Sequence, residues 1–193
     1  MANQLQVADL RELMEYRPHD GGLYWRARDA QTYMKYIPDI DFTEAQRLSR
    51  WFESRFTGKE CGTTRNGNKE FIRISLGTRG TNIRRAKLDL IWTVATGEWP
   101  EGVVLLLDPD RPPVPDNVVC CSPSVAQIFA DPTVGLYSNR NGDFFWRITM
   151  DRKTVLHQKH GYKTLKEARA ARDAKLKELG LWAVETLEDR LHG

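Results

Sequence analysis

The sequence predicts an α+β protein in two modules, the second a small three-stranded antiparallel sheet with one packed helix. Three observations carry this. Apolar residues recur at helical spacing in three stretches of the first hundred residues, interleaved with short alternating runs. Residues 135–158 hold three short strand-like runs separated by turn residues, followed by a helical stretch with its own start and stop signals. The charge is also uneven: eleven Lys or Arg stand against five Asp or Glu between Val134 and Gly180, whereas residues 1–133 carry seventeen against eighteen and the last thirteen carry one against three. The overall excess of +3 is therefore concentrated in one module, where a polyanion would find it.

At 193 residues and 40% hydrophobic content, the chain has enough apolar side chains for one mid-sized core or two small ones. No run approaches eighteen apolar residues. The opening MANQLQVADLREL carries charges where a signal peptide needs an uninterrupted apolar core, so a cytoplasmic protein is expected. Cys61, Cys120 and Cys121 are odd in number and two are adjacent, which suits small buried hydrophobes better than a disulfide framework or a chelate.

The elements follow in order. Leu5, Leu10, Leu13 and Met14 fall near one helical face, and the turn formers Arg17 to Gly22 lead into a strand at Leu23 to Arg26. After an irregular region around Pro38, Thr43 is the expected cap of a helix running to Phe56, with Leu48, Trp51, Phe52 and Arg55 near one face and Gly58 as its stop. Phe71 to Leu76 alternates, a turn follows at Gly77 to Gly80, and Asn82 to Arg85 completes a hairpin with one buried side. Leu88 to Thr96 reads as a buried helix ended by Gly97. Pro112, Pro113 and Pro115 close the first module. Ser122 to Thr133, with its Ser-Pro and Asp-Pro steps, suits a linker with room for a short helix. Strands are expected at Gly135 to Ser138, Phe144 to Met150 and Lys153 to Gln158. Thr164 and Glu167 form a capping box for a helix whose apolar face includes Leu165, Ala168, Leu176 and Leu179 and whose stop is Gly180. The expected boundaries are 1–121, a linker at 122–133, and 134–193 with a C-terminal tail.

LRELMEYRPHDGGLYW at 10–25, RFTGKECG at 55–62 and IWTVATGEWPEG at 91–102 resemble the phage family of HNH homing endonucleases, small enzymes that nick or cut DNA. GLY at 135–137, NGDFFWRI and TLKEARAARDAKLKELG resemble the AP2-type DNA-binding module often attached to them. The resemblance implies a degenerate HNH-like (ββα-type) N-terminal module followed by an AP2-like one, in a protein acting inside a bacterial host cell. In that family the segment before the GEWP turn reads AHRLAW and the segment after it holds an Asp-His pair. Such chemistry needs a carboxylate and an imidazole to hold a divalent ion, and a neutral histidine to take a proton from water. Here Leu88 stands where the first histidine would be, and the Asp-His pair falls on Leu105 and Leu106. Leucine neither accepts a proton nor ligates a cation, so the implied protein is not an enzyme and takes no cofactor or metal. Asp108, Asp110, Arg111 and Asn117 survive around the pair; Asp108, Asp110 and Asp116, set among prolines, read as turn formers before they read as magnesium ligands. His19, His157, His160 and His192 do not supply the missing groups.

An AP2-type module lays one sheet face into the major groove while its helix packs behind. Alternation puts Phe144, Trp146 and Ile148 on one face of the second strand and Phe145, Arg147 and Thr149 on the other. With Tyr137 and Asn139 of the first strand, the latter set is the expected reading face. Arg147 is the best base-reading candidate because its planar fork bonds guanine edges bidentately. Arg140, Arg152 and Lys153, in the turns, suit phosphate contacts. The family usually has tryptophan then arginine where Phe144 and Phe145 stand, so one groove contact has become apolar. Two functions follow as expectations: a nuclease-dead binder of double-stranded DNA, or an anti-CRISPR-like phage or mobile-element inhibitor that binds a host defence protein or ribonucleoprotein complex through the old scaffold. A third is residual or altered nuclease activity through non-family residues such as Asp108 and Asp110, which cleavage of supercoiled plasmid with magnesium or manganese, abolished by Asp108→Ala, would support.

Overall fold

The computed structural model describes residues 5–66, 69–76, 82–150, 153–157, 161–182 and 184–192. The chain runs α1 (Val7–Leu13), β1 (Met14–Arg17), β2 (Gly22–Trp25), α2 (Ala30–Tyr36), α3 (Phe42–Arg55), β3 (Thr63–Asn66), β4 (Lys69–Ser75), β5 (Asn82–Ala86), α4 (Lys87–Thr96), β6 (Val103–Leu106), β7 (Val118–Cys121), α5 (Pro123–Ala130), β8 (Leu136–Ser138), β9 (Phe144–Met150), β10 (Lys153–His157), α6 (Leu165–Glu178), β11 (Val184–Thr186) and α7 (Leu187–His192). It is a mixed α and β protein with several small antiparallel sheets. Two compact units divide it: residues 1–119 with 186–193, and residues 120–185. Among the described residues no helix is long and apolar enough to cross a membrane.

In the first unit α4 is the centre. Leu90, Ile91, Trp92, Thr93 and Val94 are all buried, as a helix apolar all round requires, and α1, α7, β1, β4, β5 and β6 pack against it. Its C-terminal carbonyls, which have no partner within the helix, accept from Arg11: Nε donates to Val94 at 3.0 Å and Nη2 to Ala95 at 3.3 Å. The hairpin β1–β2 pairs Met14 with Trp25 and Arg17 with Gly22. Its turn passes so close to the proline-rich stretch that a Cβ on Gly21 would lie 2.7 Å from the Pro113 carbonyl carbon. The Tyr16 hydroxyl donates to the Pro113 carbonyl at 2.8 Å, and the Glu188 N–H to the Pro115 carbonyl at 3.2 Å. The prolines are thus a built part of this unit. The sheet β3-β4-β5 turns Ile72 and Ile74 fully inward. The turn expected at Gly77 to Gly80 lies outside the described residues.

Two local expectations change, and one strand is added. The long helix starts one residue after Asp41, whose carboxylate accepts from the Glu44 N–H at 2.8 Å, so Asp41 and not Thr43 is the cap. The region before Pro38 holds α2, capped by Asp29 on the Thr32 N–H at 2.7 Å, with Tyr33 and Tyr36 buried. It ends at Ile37, extended as a residue before proline tends to be. Val103 to Leu106 form a strand.

In the second unit β9 is central to the sheet β10-β9-β8. Trp146 and Ile148 face Leu176 of α6 in a small core, with Ile128, Leu136, Leu156, Leu181 and Trp182 around it. The capping box is present: Thr164 Oγ1 accepts from the Glu167 N–H at 3.2 Å and the Glu167 carboxylate accepts from the Thr164 N–H at 3.1 Å. The inner face of α6, however, is Ala168, Arg172 and Leu176, at successive spacings of four, while Leu165 and Leu179 are each 41% exposed. Arg172 is 1% exposed. Its Nη1 donates to the carbonyls of Pro132, at 3.1 Å, and Val134, and its Nε to Asp173 at 2.8 Å.

The boundaries also shift. The stretch 122–133 carries α5, whose Ile128 and Phe129 pack within the second unit, Phe129 against Trp182 at 5.7 Å. Residues 186–193 group with the first unit, because α7 packs on α4 and Leu187 is fully buried. Cys61 and Cys121 are buried and Cys120 is partly so, and none of the three is in a disulfide. Replacing Arg172 by leucine removes the donor from two carbonyls. The Arg172→Leu variant is expected to lose about 1–3 kcal/mol of unfolding free energy, measured by urea denaturation followed through tryptophan fluorescence.

Candidate nucleic-acid interface

The second unit's sheet has a solvent face opposite its core. With Trp146 and Ile148 buried, period-two alternation leaves Phe145 and Arg147 on the other side of β9. Tyr137 of β8 is the register partner of Phe145, and the two rings stack with centroids 5.5 Å apart and an interplanar angle of 14°. Arg147 is exposed beside this pair. Its backbone is fixed by Gly135, whose carbonyl accepts from the Arg147 N–H at 2.7 Å. Gly135 sits at φ 75°, and a Cβ there would lie 2.5 Å from the Arg147 carbonyl oxygen, so only glycine fits.

The turn before β9 is organised by Asn139. Its side-chain oxygen accepts from the N–H groups of Asn141, at 2.9 Å, and Asp143, at 3.0 Å. The amide carbonyl expected to read a base is therefore committed to the turn, a role of the kind asparagine commonly takes. Arg140 is exposed in that turn. Thus Tyr137, Phe145 and Arg147 are brought together on one face, with Asn139 and Arg140 at one end of it. The backbone of Thr149 and Lys153 lies in β9 and β10, but their side chains lie outside the described part, as do Arg152, Gln158 and His160 altogether. Sequence reasoning missed that His157 is the register partner of Arg147 across β10, after an irregularity between Thr154 and Leu156. The irregularity left no periodic signal to read.

The first unit holds a cleft of about 680 Å³. The start of α4 lines it with Lys87, Leu88 and Asp89, β6 with Val104 and Leu106, and β4 with Glu70. Leu88 and Leu106, two of the positions singled out in the sequence, meet there; Leu105 does not line it. The Lys87 ammonium stands 3.1 Å from Glu60 and 3.6 Å from Glu70, and Arg65 is 3.4 Å from Glu70. The loop after β6 is pinned by Asn117, fully buried, whose Oδ1 accepts from the Asp108 N–H at 2.8 Å while Nδ2 donates to the carbonyls of Asp108 and Pro112, each at 3.0 Å. Asp108 Oδ1 in turn accepts from the Asp110 N–H at 3.0 Å, and Asp116 pairs with Arg111 at 2.9 Å. These aspartates build the turn.

Comparison with protein-family models, with curated proteins and with solved structures gives no significant match for this chain.

Burial pushes the Asp89 carboxyl above the usual carboxylate range, with Lys69 and Arg85 only partly offsetting it. A carboxyl raised in the fold carries a penalty that is absent below its unfolded value of about 3.9 and grows as pH rises through the folded value. The Asp89→Asn variant is therefore expected to be more stable than the parent near pH 7, with the gain vanishing towards about pH 3. Urea midpoints at the two pH values check this.

Proposed function

We propose that this chain is a non-catalytic binder of double-stranded DNA, of the HNH-like and AP2-like kind, using the solvent face of β8 and β9. The observation that carries the reading is the exposed Arg147 guanidinium beside the Tyr137–Phe145 stack, in the module that holds the chain's excess positive charge. An arginine fork on a sheet face suits guanine N7 and O6 in the major groove, and the flat aromatic pair offers apolar contact to a thymine methyl. Arg140 suits the phosphate backbone at the end of the face, where it positions the protein without reading sequence. The absence of catalysis in this reading rests on the positions where the family keeps its histidines and carboxylate: Leu88 and Leu106, which line the cleft, and Leu105 neither accept a proton nor ligate a cation.

A second reading, the inhibitor of a host defence protein or ribonucleoprotein complex, draws on the first unit. Met34 and Trp51 are each 45% exposed and Phe42 is 55% exposed, and large exposed apolar side chains are characteristic of protein-binding surfaces.

Fluorescence anisotropy of a labelled mixed-sequence duplex separates the two. Under the DNA-binding reading the affinity falls steeply with salt, and Arg147→Ala weakens binding by roughly five- to 150-fold at a guanine-containing site, equivalent to about 1–3 kcal/mol. No binding at low salt, together with a nuclease-resistant complex captured from a bacterial host, would favour the inhibitor. In either case supercoiled plasmid is expected to stay uncut across a magnesium and manganese series, measured by gel electrophoresis.

A further inference from the structure

The sheet β3-β4-β5 of the first unit has an outer face that base reading by β8 and β9 does not use. Ile72 and Ile74 point fully into the core, so the intervening Phe71, Arg73 and Ser75 of β4 lie on the opposite side. The register places Arg84 of β5 directly opposite Arg73, Asn82 opposite Ser75, and Thr64 of β3 opposite Phe71. Arg73, Arg84, Ser75, Asn82 and Thr64 are all exposed.

Like charges placed directly across an antiparallel pair destabilise it. Among the described residues neither arginine forms an ion pair; both are held by neutral groups. Arg73 Nε donates to the Asn82 side-chain oxygen at 2.9 Å, and the Arg84 guanidinium lies over the Phe71 ring, 4.4 Å from its centroid. The charges next to the cleft are treated differently: Arg65 and Lys87 both pair with Glu70. Among the described residues Arg73 and Arg84 are thus two adjacent, oriented guanidinium groups that no carboxylate pairs, on the face opposite Ile72 and Ile74.

We propose that the outer face of β3-β4-β5 is a second DNA-contacting surface, gripping the sugar–phosphate backbone of a duplex through Arg73 and Arg84. Phosphate oxygens accept from arginine forks and from the hydroxyl and amide groups of serine, threonine and asparagine, the neutral residues that flank this pair. Duplex DNA presents about one negative charge per 1.7 Å of axis, a density suited to satisfying two adjacent guanidinium groups together. The proposal rests on duplex DNA being the ligand of the protein, but it assigns sequence-independent affinity to the first unit, whereas the β8–β9 face supplies base reading.

The test uses the full chain and labelled duplexes of two unrelated sequences, with anisotropy recorded over a salt series for the parent, Arg73→Gln/Arg84→Gln, Arg73→Lys/Arg84→Lys and Arg147→Ala. The glutamine pair is expected to weaken binding equally for both sequences and to lower the slope of log K against log salt by about 2, one for each phosphate no longer neutralised. The lysine pair is expected to keep the parent's slope, because each ammonium still neutralises a phosphate. Urea midpoints of the glutamine pair are expected to match or exceed the parent's, since the repulsion is gone; a structural role would lower them. An unchanged slope in the glutamine pair, with binding weakened in Arg147→Ala, would overturn this proposal and leave the β8–β9 reading standing. The reverse result would support the proposal and remove that reading. With labelled polyglutamate as a further probe, loss of its binding in the glutamine pair with DNA binding intact would assign the face to an acidic protein and overturn it. Absence of duplex binding by the parent would overturn both.

Discussion

Burial of α4 on every side is the constraint from which the first unit follows. Five consecutive buried residues, Leu90 to Val94, leave the helix no solvent face, so other elements must surround it. They come from distant parts of the sequence: α1 and β1 from near the N-terminus, β4 and β5 from the hairpin just before the helix, β6 from the segment just after it, and α7 from the far end of the chain. A helix so enclosed must still satisfy its terminal carbonyls, and Arg11 does this from α1. Its buried Thr93 hydroxyl turns back to the Asp89 carbonyl at 2.7 Å. The first turn of the same helix forms one wall of the cleft. The position of Leu88 is thus dictated by the core, while its chemistry is free to vary.

The charges of this chain divide into those that hold it together and those that face solvent, and counting residues does not separate them. Arg172 contributes to the basic character of the second module, yet it is buried and spends its guanidinium on Asp173 and two backbone carbonyls. Lys163 pairs with Asp143 at 2.7 Å, but the lysine side chain is 85% exposed, so the pair contributes little to stability. Arg147 and Arg140 remain exposed on the sheet and its turn. Exposure and not number therefore decides which of the eleven cations can meet a polyanion, and Arg172 is not one of them.

What the sequence made legible was local. The start of α6 was readable because Thr164 and Glu167 satisfy one another within three residues. The two faces of β9 were readable because a period of two leaves no ambiguity once Trp146 is placed inside. The cap of α3 was not, since Asp41 and Thr43 are both good cap residues and only the backbone distinguishes them. Helix α2 was hidden because seven residues, AQTYMKY, carry too short a period; its stability comes from burial of Tyr33 and Tyr36. The burial of Arg172 was not legible, because its partner Pro132 lies 40 residues earlier in the chain. The candidate interface was legible as a face and as Arg147. The commitment of Asn139 to a turn, and the stacking of Tyr137 on Phe145, depended on register, which propensity does not carry.

The return of residues 186–193 to the first unit has a consequence for biosynthesis. Leu187 is part of the core that encloses α4, but it is made after the whole of the second unit. A ribosome emitting this chain releases α1 to β6 early and must hold them without their last packing partner while residues 120–185 emerge. Domains ordinarily fold from the N-terminus onward during synthesis. Here the order is inverted for completion: the later-made unit has all its own core residues first, and the earlier-made one closes last.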